Sequence, residues 1–225
     1  MQIYTAVMEV HANVLEVLRD GAIDGPVLIE LDESAENSED KLSTEPPSCW
    51  SPVNKHKNIE ISQNGLDIHC QRGKNVQSIL TNYPVPDNYG YYYYEVHITS
   101  MKRNASIALG LGTQGTKMNV LPGDSSNSKD TIGYRNDSRR IHNGGKSTLA
   151  SDPPCLEGDT VGFYVDLQEG SCFITRNGKI IGQAMNKLKL KGPLYPSVGF
   201  GKRSVGTSVR ANFGGQPFQF QVKGM

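Results

Sequence analysis

From Trp50 onward, apolar and polar residues alternate in short runs rather than along helical stripes. Four runs carry the pattern: Gly90-Tyr91-Tyr92-Tyr93-Tyr94-Glu95-Val96-His97-Ile98, Ile107-Ala108-Leu109-Gly110-Leu111, Thr160-Val161-Gly162-Phe163-Tyr164-Val165-Asp166-Leu167 and Ser171-Cys172-Phe173-Ile174-Thr175. They are rich in β-branched and aromatic residues, and Gly, Pro, Asn or Asp separate them, as expected of strands joined by turns. Asn177-Gly178 lies between Cys172–Thr175 and Lys179–Gly182. Both residue types tolerate positive φ, so this pair predicts a tight hairpin. Twenty-four glycines fit a chain with many turns. No long amphipathic helix and no internal repeat follows residue 50. The expected fold is all-β, two packed antiparallel sheets forming a β-sandwich.

The first 46 residues differ. Apolar residues at Ile3, Val7, Val10, Val14, Leu15, Val17 and Leu18 have helical spacing, and Gly21 would end that short N-terminal helix. Leu28–Leu31 suits a short strand. Asp32–Lys41 is acidic and lacks aromatics, which predicts a disordered, solubilising linker. Pro46-Pro47 closes it. The expected division is 1–46, helix plus acidic linker, and 47–225, the sandwich domain.

Charge sharpens this boundary. Residues 1–46 hold eleven acids and two Lys/Arg, a net of −9, and the remainder holds twelve acids and twenty-one bases, a net of +9. The formal charge of zero therefore hides an acidic arm and a basic domain. Hydrophobic residues make up 36% of the chain, and no run approaches the roughly 18 apolar residues of a membrane span. No Lys or Arg precedes the N-terminal apolar stretch, which argues against a secretory signal and predicts a cytoplasmic or nuclear protein.

Candidate chemistry is sparse. Cys49, Cys70, Cys155 and Cys172 form no CxxC pair, which predicts reduced thiols and no zinc site. Asn104-Ala105-Ser106 and Asn136-Asp137-Ser138 are glycosylation sequons by pattern, without meaning in a cytosolic protein. Gly144-Gly145-Lys146-Ser147 looks like the end of a phosphate-binding loop, but Arg140 stands where its first glycine belongs, and Asp152-Pro153-Pro154 blocks the following helix. Gly123-Asp124-Ser125-Ser126 lacks the glycines of a nucleophile elbow. His97 alternates with Val96 and Ile98, so it belongs on the face opposite the core. Asp159 and Asp166 suit turn-capping roles. No cofactor, no metal and no enzyme activity is expected.

Six motifs, in order, resemble those of SPRY domains. They are Gly90–Val96, Ile107–Leu111, Glu157-Gly158-Asp159-Thr160-Val161-Gly162, Cys172-Phe173-Ile174-Thr175-Arg176-Asn177-Gly178, Leu194-Tyr195-Pro196-Ser197-Val198-Gly199 and Val209-Arg210-Ala211-Asn212-Phe213-Gly214. Trp50-Ser51-Pro52, Ile61-Ser62-Gln63-Asn64-Gly65-Leu66 and Pro217-Phe218 add a resemblance to the RanBPM (Ran-binding protein M) type within that family. One departure is Asp124, where that type has a tryptophan after the glycine. The resemblance implies a concanavalin-like jelly-roll sandwich that acts as an adaptor or scaffold, linked in RanBPM-type proteins to a ubiquitin ligase complex.

It also implies a peptide-binding surface built by loops at one end of the sandwich. By motif order these are Gln71–Val76, Thr113–Gly123, Gly133–Asn136 and Phe200–Arg203. Loops on a rigid scaffold are suited to binding. The expected partner-binding residues are Arg72, Gly73, Lys74, Asn75, Met118, Tyr134, Arg135, Arg139, Gly201 and Lys202. Tyr134 and Met118 would supply the apolar anchor, and the cations would pair with carboxylates. The expected partner is a protein, through a short segment that is acidic or rich in Asp and Asn. Two alternatives are a secreted SPRY effector and nucleic-acid binding through the basic domain. The bases are not interleaved with aromatics as in nucleic-acid reading modules, which disfavours the latter.

Overall fold

The computed structural model describes residues 45–124, 131–143, 146–184 and 192–221. All lie in a compact unit that runs from Leu42 to Met225. The helix expected over Ile3–Leu18, the short strand at Leu28–Leu31 and the linker at Asp32–Lys41 fall outside the described residues.

Two antiparallel sheets make up the described fold. The first runs, edge to edge, β1 (Trp50–Lys55), β4 (Gln77–Thr81), β13 (Tyr195–Phe200), β6 (Ile107–Gly112), β7 (Ile132–Arg135), β8 (Arg140–Asn143) and β9 (Lys146–Leu149). The second runs β12 (Lys179–Ala184), β11 (Ser171–Arg176), β10 (Thr160–Asp166), β5 (Tyr91–Ser100), β14 (Ser208–Asn212), β3 (Asp67–Cys70) and β2 (Ile59–Ile61). Every run singled out by alternation is a strand.

The core lies between the sheets, and strand periodicity decides which side chains enter it. On β5, Tyr92, Tyr94, Val96 and Ile98 join the core cluster, and on β10 Val161, Phe163 and Val165 do so. His97 lies on the other face of β5, half-buried, its Nδ1 3.1 Å from Thr160 Oγ1. Tyr94 also completes a buried polar knot: its hydroxyl shares one proton between the carbonyls of Gly110 at 2.8 Å and Ser197 at 3.0 Å and accepts the Gly110 N–H at 3.0 Å. Trp50 is buried where β1 begins. Its indole N–H donates to the Leu66 carbonyl at 2.9 Å, and Phe213 meets its ring edge-on at 5.1 Å.

The outer face of the second sheet is partly roofed by the segment Pro217–Phe220. Phe218 packs edge-on against Tyr93 at 4.9 Å, and Phe220 packs against Phe173 at 5.4 Å. Glu95 is buried beneath and accepts the Gln219 and Phe220 backbone N–H groups at 3.1 Å each. The Tyr93 hydroxyl donates to the same carboxylate at 2.9 Å.

The predicted Asn-Gly turn joins β11 to β12. Asn177 and Gly178 have φ of 49° and 75°, and Arg176 pairs with Lys179 across the turn. A side chain at Gly178 would also meet the Gln219 carbonyl at 2.7 Å, so the position needs glycine for its backbone and for its space. No disulfide joins Cys49, Cys70, Cys155 and Cys172. No helix among the described residues is long and apolar enough to cross a membrane.

Candidate functional site

At the end of the sandwich where β5, β7 and β13 finish and β4, β6 and β10 begin, loops enclose a groove of about 980 Å³. Four segments form most of it: 101–106 after β5, 135–137 at the end of β7, 154–157 before β10 and 201–203 after β13. Val76, Leu121 and Asp124 complete the wall.

Backbone chemistry fixes these segments to one another. The Met101 N–H donates to the Glu157 carboxylate at 2.8 Å, joining the first wall to the third. The Gly201 N–H donates to the Ser106 carbonyl at 2.8 Å, and the Ser204 hydroxyl reaches the same carbonyl at 2.7 Å. Asn136 is buried and ties the second wall to β6. Its Oδ1 accepts the Ile107 N–H at 2.7 Å, and its own N–H donates to the Ile107 carbonyl at 3.1 Å. The groove is thus preformed, because its loop groups spend their hydrogen bonds on neighbouring loops.

The third wall has its own anchor. Asp159 accepts the Leu156 N–H at 2.7 Å, the Asn177 amide at 2.7 Å and the Arg176 guanidinium at 2.7 Å. Burial works to raise the Asp159 carboxyl, but these donors outweigh it and hold it below the usual carboxylate range.

Five cations line the groove, Lys102, Arg103, Arg135, Lys202 and Arg203, against three acids, Asp124, Asp137 and Glu157. Asp137 and Glu157 are engaged within the walls, and Asp124 also has an interaction of its own. Asp137 pairs with Arg135 at 3.2 Å, and Glu157 holds Met101. Burial pulls the Asp137 carboxyl up, yet the Arg135 guanidinium holds it below the ordinary value. No ion pair among the described residues engages Lys102, Arg103, Lys202 or Arg203. The groove therefore presents an excess of positive charge beside apolar surface from Met101, Pro154 and Leu156.

Of the residues expected from sequence, Arg135, Gly201 and Lys202 line this groove. Arg72, Gly73, Lys74 and Asn75 form an exposed loop between β3 and β4. That loop is held by Gln77, whose amide donates to the Arg72 carbonyl at 2.6 Å, and only the following Val76 reaches the groove. Met118 is half-buried in the β6–β7 connection, its carbonyl accepting the Ser78 N–H at 2.9 Å, and it does not line the groove. Arg139 turns the chain from β7 to β8 with φ of 53°, also away from the groove.

Tyr134 requires a correction, because it cannot be an exposed anchor. It is fully buried, paired with Leu109 and Ile141 across the sheet, its hydroxyl 3.8 Å from the Cys155 sulfur. Strand alternation places it with Ile132 on the core face, and sends Arg135 to the opposite one. A Tyr134→Phe variant is accordingly expected to leave ligand affinity within about twofold and to cost about 1 kcal/mol of stability, the net worth of a buried hydroxyl contact, read by urea denaturation.

Sequence reasoning missed Met101, Lys102, Arg103 and the 154–157 wall. A local signal did exist for the latter, since the Glu157-Gly158-Asp159 motif abuts it. The two sequons also part ways. Asn104 is exposed on the groove rim, whereas the Asn136 amide is consumed inside the fold.

The SPRY domain family matches residues 91–216. The Drosophila melanogaster protein described as Ran-binding proteins 9/10 homolog is 36% identical over 178 residues, covering 77% of this chain and 18% of that protein. Ran-binding protein 10 of Danio rerio is 37% identical over 181 residues, covering 79% and 29%. Human Ran-binding protein 9 is 35% identical over 188 residues, covering 82% and 25%. The chain spans less than a third of the length of these relatives. A crystal structure of a human SPRY domain superposes with a TM-score of 0.57 at 25% identity, covering 72% of this chain and 98% of that one. The SPRY domain of human HERC1 gives 0.62 at 18% identity, covering 75% and 99%. The family match takes in more than half of this chain, and the sheets, loops and motifs agree with it: the chain belongs to the SPRY domain family and is similar to Ran-binding proteins 9 and 10.

Proposed function

We propose that this chain is a protein-interaction module whose groove binds a short acidic or Asp/Asn-rich segment of a partner protein, as an adaptor or scaffold and without catalysis of its own. The observation that carries the reading is the groove itself, with five cations against three acids on walls fixed by their own hydrogen bonds. Arg and Lys in such loops pair with carboxylates, and a preformed groove spends little entropy on ordering. The similarity to Ran-binding proteins 9 and 10 supports an interaction role, and the RanBPM-type resemblance extends the proposal to an adaptor connected to a ubiquitin ligase complex.

The test is fluorescence anisotropy with a labelled acidic peptide and the full 225-residue chain. A Lys202→Glu/Arg203→Glu variant should bind the peptide at least about tenfold more weakly at low salt, since it replaces two attractions with two repulsions at a common rim. Both residues are exposed, so the fold should tolerate the change. Equal affinity for both proteins would remove the groove from consideration.

A further inference from the structure

Charge by itself makes the groove an unselective reader. Lys102, Arg103, Lys202 and Arg203 are exposed, and solvent-exposed pairs made by such long side chains are individually weak. Selective recognition generally rests on a desolvated apolar contact. Five large apolar side chains are exposed among the described residues, namely Val53, Tyr89, Leu149, Leu156 and Ile180, and of these Leu156 alone lines the groove.

Leu156 is 63% exposed, yet its backbone is tightly held. Its N–H donates to the Asp159 carboxylate at 2.7 Å and its carbonyl accepts the Asp159 N–H at 3.1 Å. The next residue, Glu157, is tied to Met101. A large aliphatic side chain on so fixed a backbone is already oriented for contact, and ordering it on binding costs little. Pro154 and the half-buried Met101 extend the same apolar wall. Lys102 and Arg103 directly follow Met101 in the chain, so apolar wall and basic rim adjoin. An extended segment advances about 3.3 Å per residue, which puts both surfaces within reach of neighbouring ligand side chains.

We infer that the segment bound here is amphipathic: a large aliphatic or aromatic side chain seats on Leu156, Pro154 and Met101, and carboxylates one to three residues away meet Lys102 and Arg103. This rests on the acidic-segment reading above and specifies what must accompany the acids.

The experiment uses the full chain and three labelled eight-residue peptides: acids plus one leucine, the same acids with serine for the leucine, and the leucine peptide with its acids changed to serine. The first should bind at least about tenfold tighter than the second, the effect of one well-buried apolar side chain. Leu156→Ser should abolish that gain and leave the acid-only peptide within twofold. Leu156→Phe should retain the gain, which separates loss of the seat from loss of the fold. Equal binding of the first two peptides to the wild-type chain, or a gain that survives Leu156→Ser, overturns the inference while the acidic reading stands. If the acid-free leucine peptide binds as tightly as the first, or no peptide binds, the acidic reading fails and takes the inference with it.

Discussion

Asp159→Ala is expected to cost roughly 3–5 kcal/mol of stability, the range for removing one partner of a largely buried ion pair. Three donors converge on that carboxylate, from Leu156, Asn177 and Arg176, so the variant strips the guanidinium of its counter-charge, leaving it only the Pro153 carbonyl at 3.2 Å, and takes the acceptor from the Leu156 N–H. A domain stability of about 5–15 kcal/mol makes this a large fraction of the total. Urea denaturation reads it directly, and a loss below about 1 kcal/mol would show that the network is dispensable. The wall carrying Leu156 should loosen as well, so affinity for an amphipathic acidic peptide should fall even under conditions where the protein stays folded.

The same group contributes to the acid limb of stability. Its folded carboxyl lies below the usual range, so its contribution is complete above the unfolded value of about 4 and is lost as pH falls through the lower folded value. Asp67, held down by its hydrogen bond to Arg210, acts in the same direction. Stability should therefore change little from these two groups between pH 7 and 5 and decline below about 4. In Asp159→Ala that decline should be shallower.

The second large effect is expected at Glu95, far from the groove. Glu95→Ala orphans the Gln219 and Phe220 N–H groups and leaves the Tyr93 hydroxyl only its Thr175 Oγ1 partner at 2.7 Å. Each orphaned buried group costs about 1–3 kcal/mol, but the strap can lift into water and recover part of it, so a net loss of about 2–3 kcal/mol is expected. Amide hydrogen exchange distinguishes this from general weakening. Gln219 and Phe220 should exchange at least about tenfold faster, while the amides of β10 follow only the global change. Unchanged protection at those two amides would mean that Phe218 and Phe220 hold the strap through ring packing alone.

Alternation made the sheets legible. Tyr92, Tyr94, Val96 and Ile98 announce a strand with one face in the core, and Asn177-Gly178 names its own turn. The same rule, applied to Ile132-Gly133-Tyr134-Arg135, would have buried Tyr134 and exposed Arg135. The family's motif order instead assigns 133–136 to a loop, where alternation carries no weight. The groove was harder, because its walls become neighbours only through bonds such as Met101 to Glu157, which join residues more than fifty positions apart. No local pattern encodes that proximity. Family motif order found the 201–203 wall, whose position follows directly from β13. It did not find the 101–106 wall, which is polar loop by composition. Pro217-Phe218 is visible as a motif, but the roofing of the sheet by Pro217–Phe220 and its contact with Glu95 are not, because a buried acid among neutral donors has no sequence signature.

The chain has a single tryptophan, and the fold places it at the start of β1, sealed against Phe213 and outside the groove lining. Intrinsic emission excited at the red edge of protein absorption therefore reports on one spot that is dry when the sandwich is intact and wet when it is not. Folded protein should emit in the blue part of the tryptophan range and shift to longer wavelength on denaturation. Occupancy of the loop end should leave the spectrum unchanged, so a single optical channel separates variants that unfold from variants that merely stop binding.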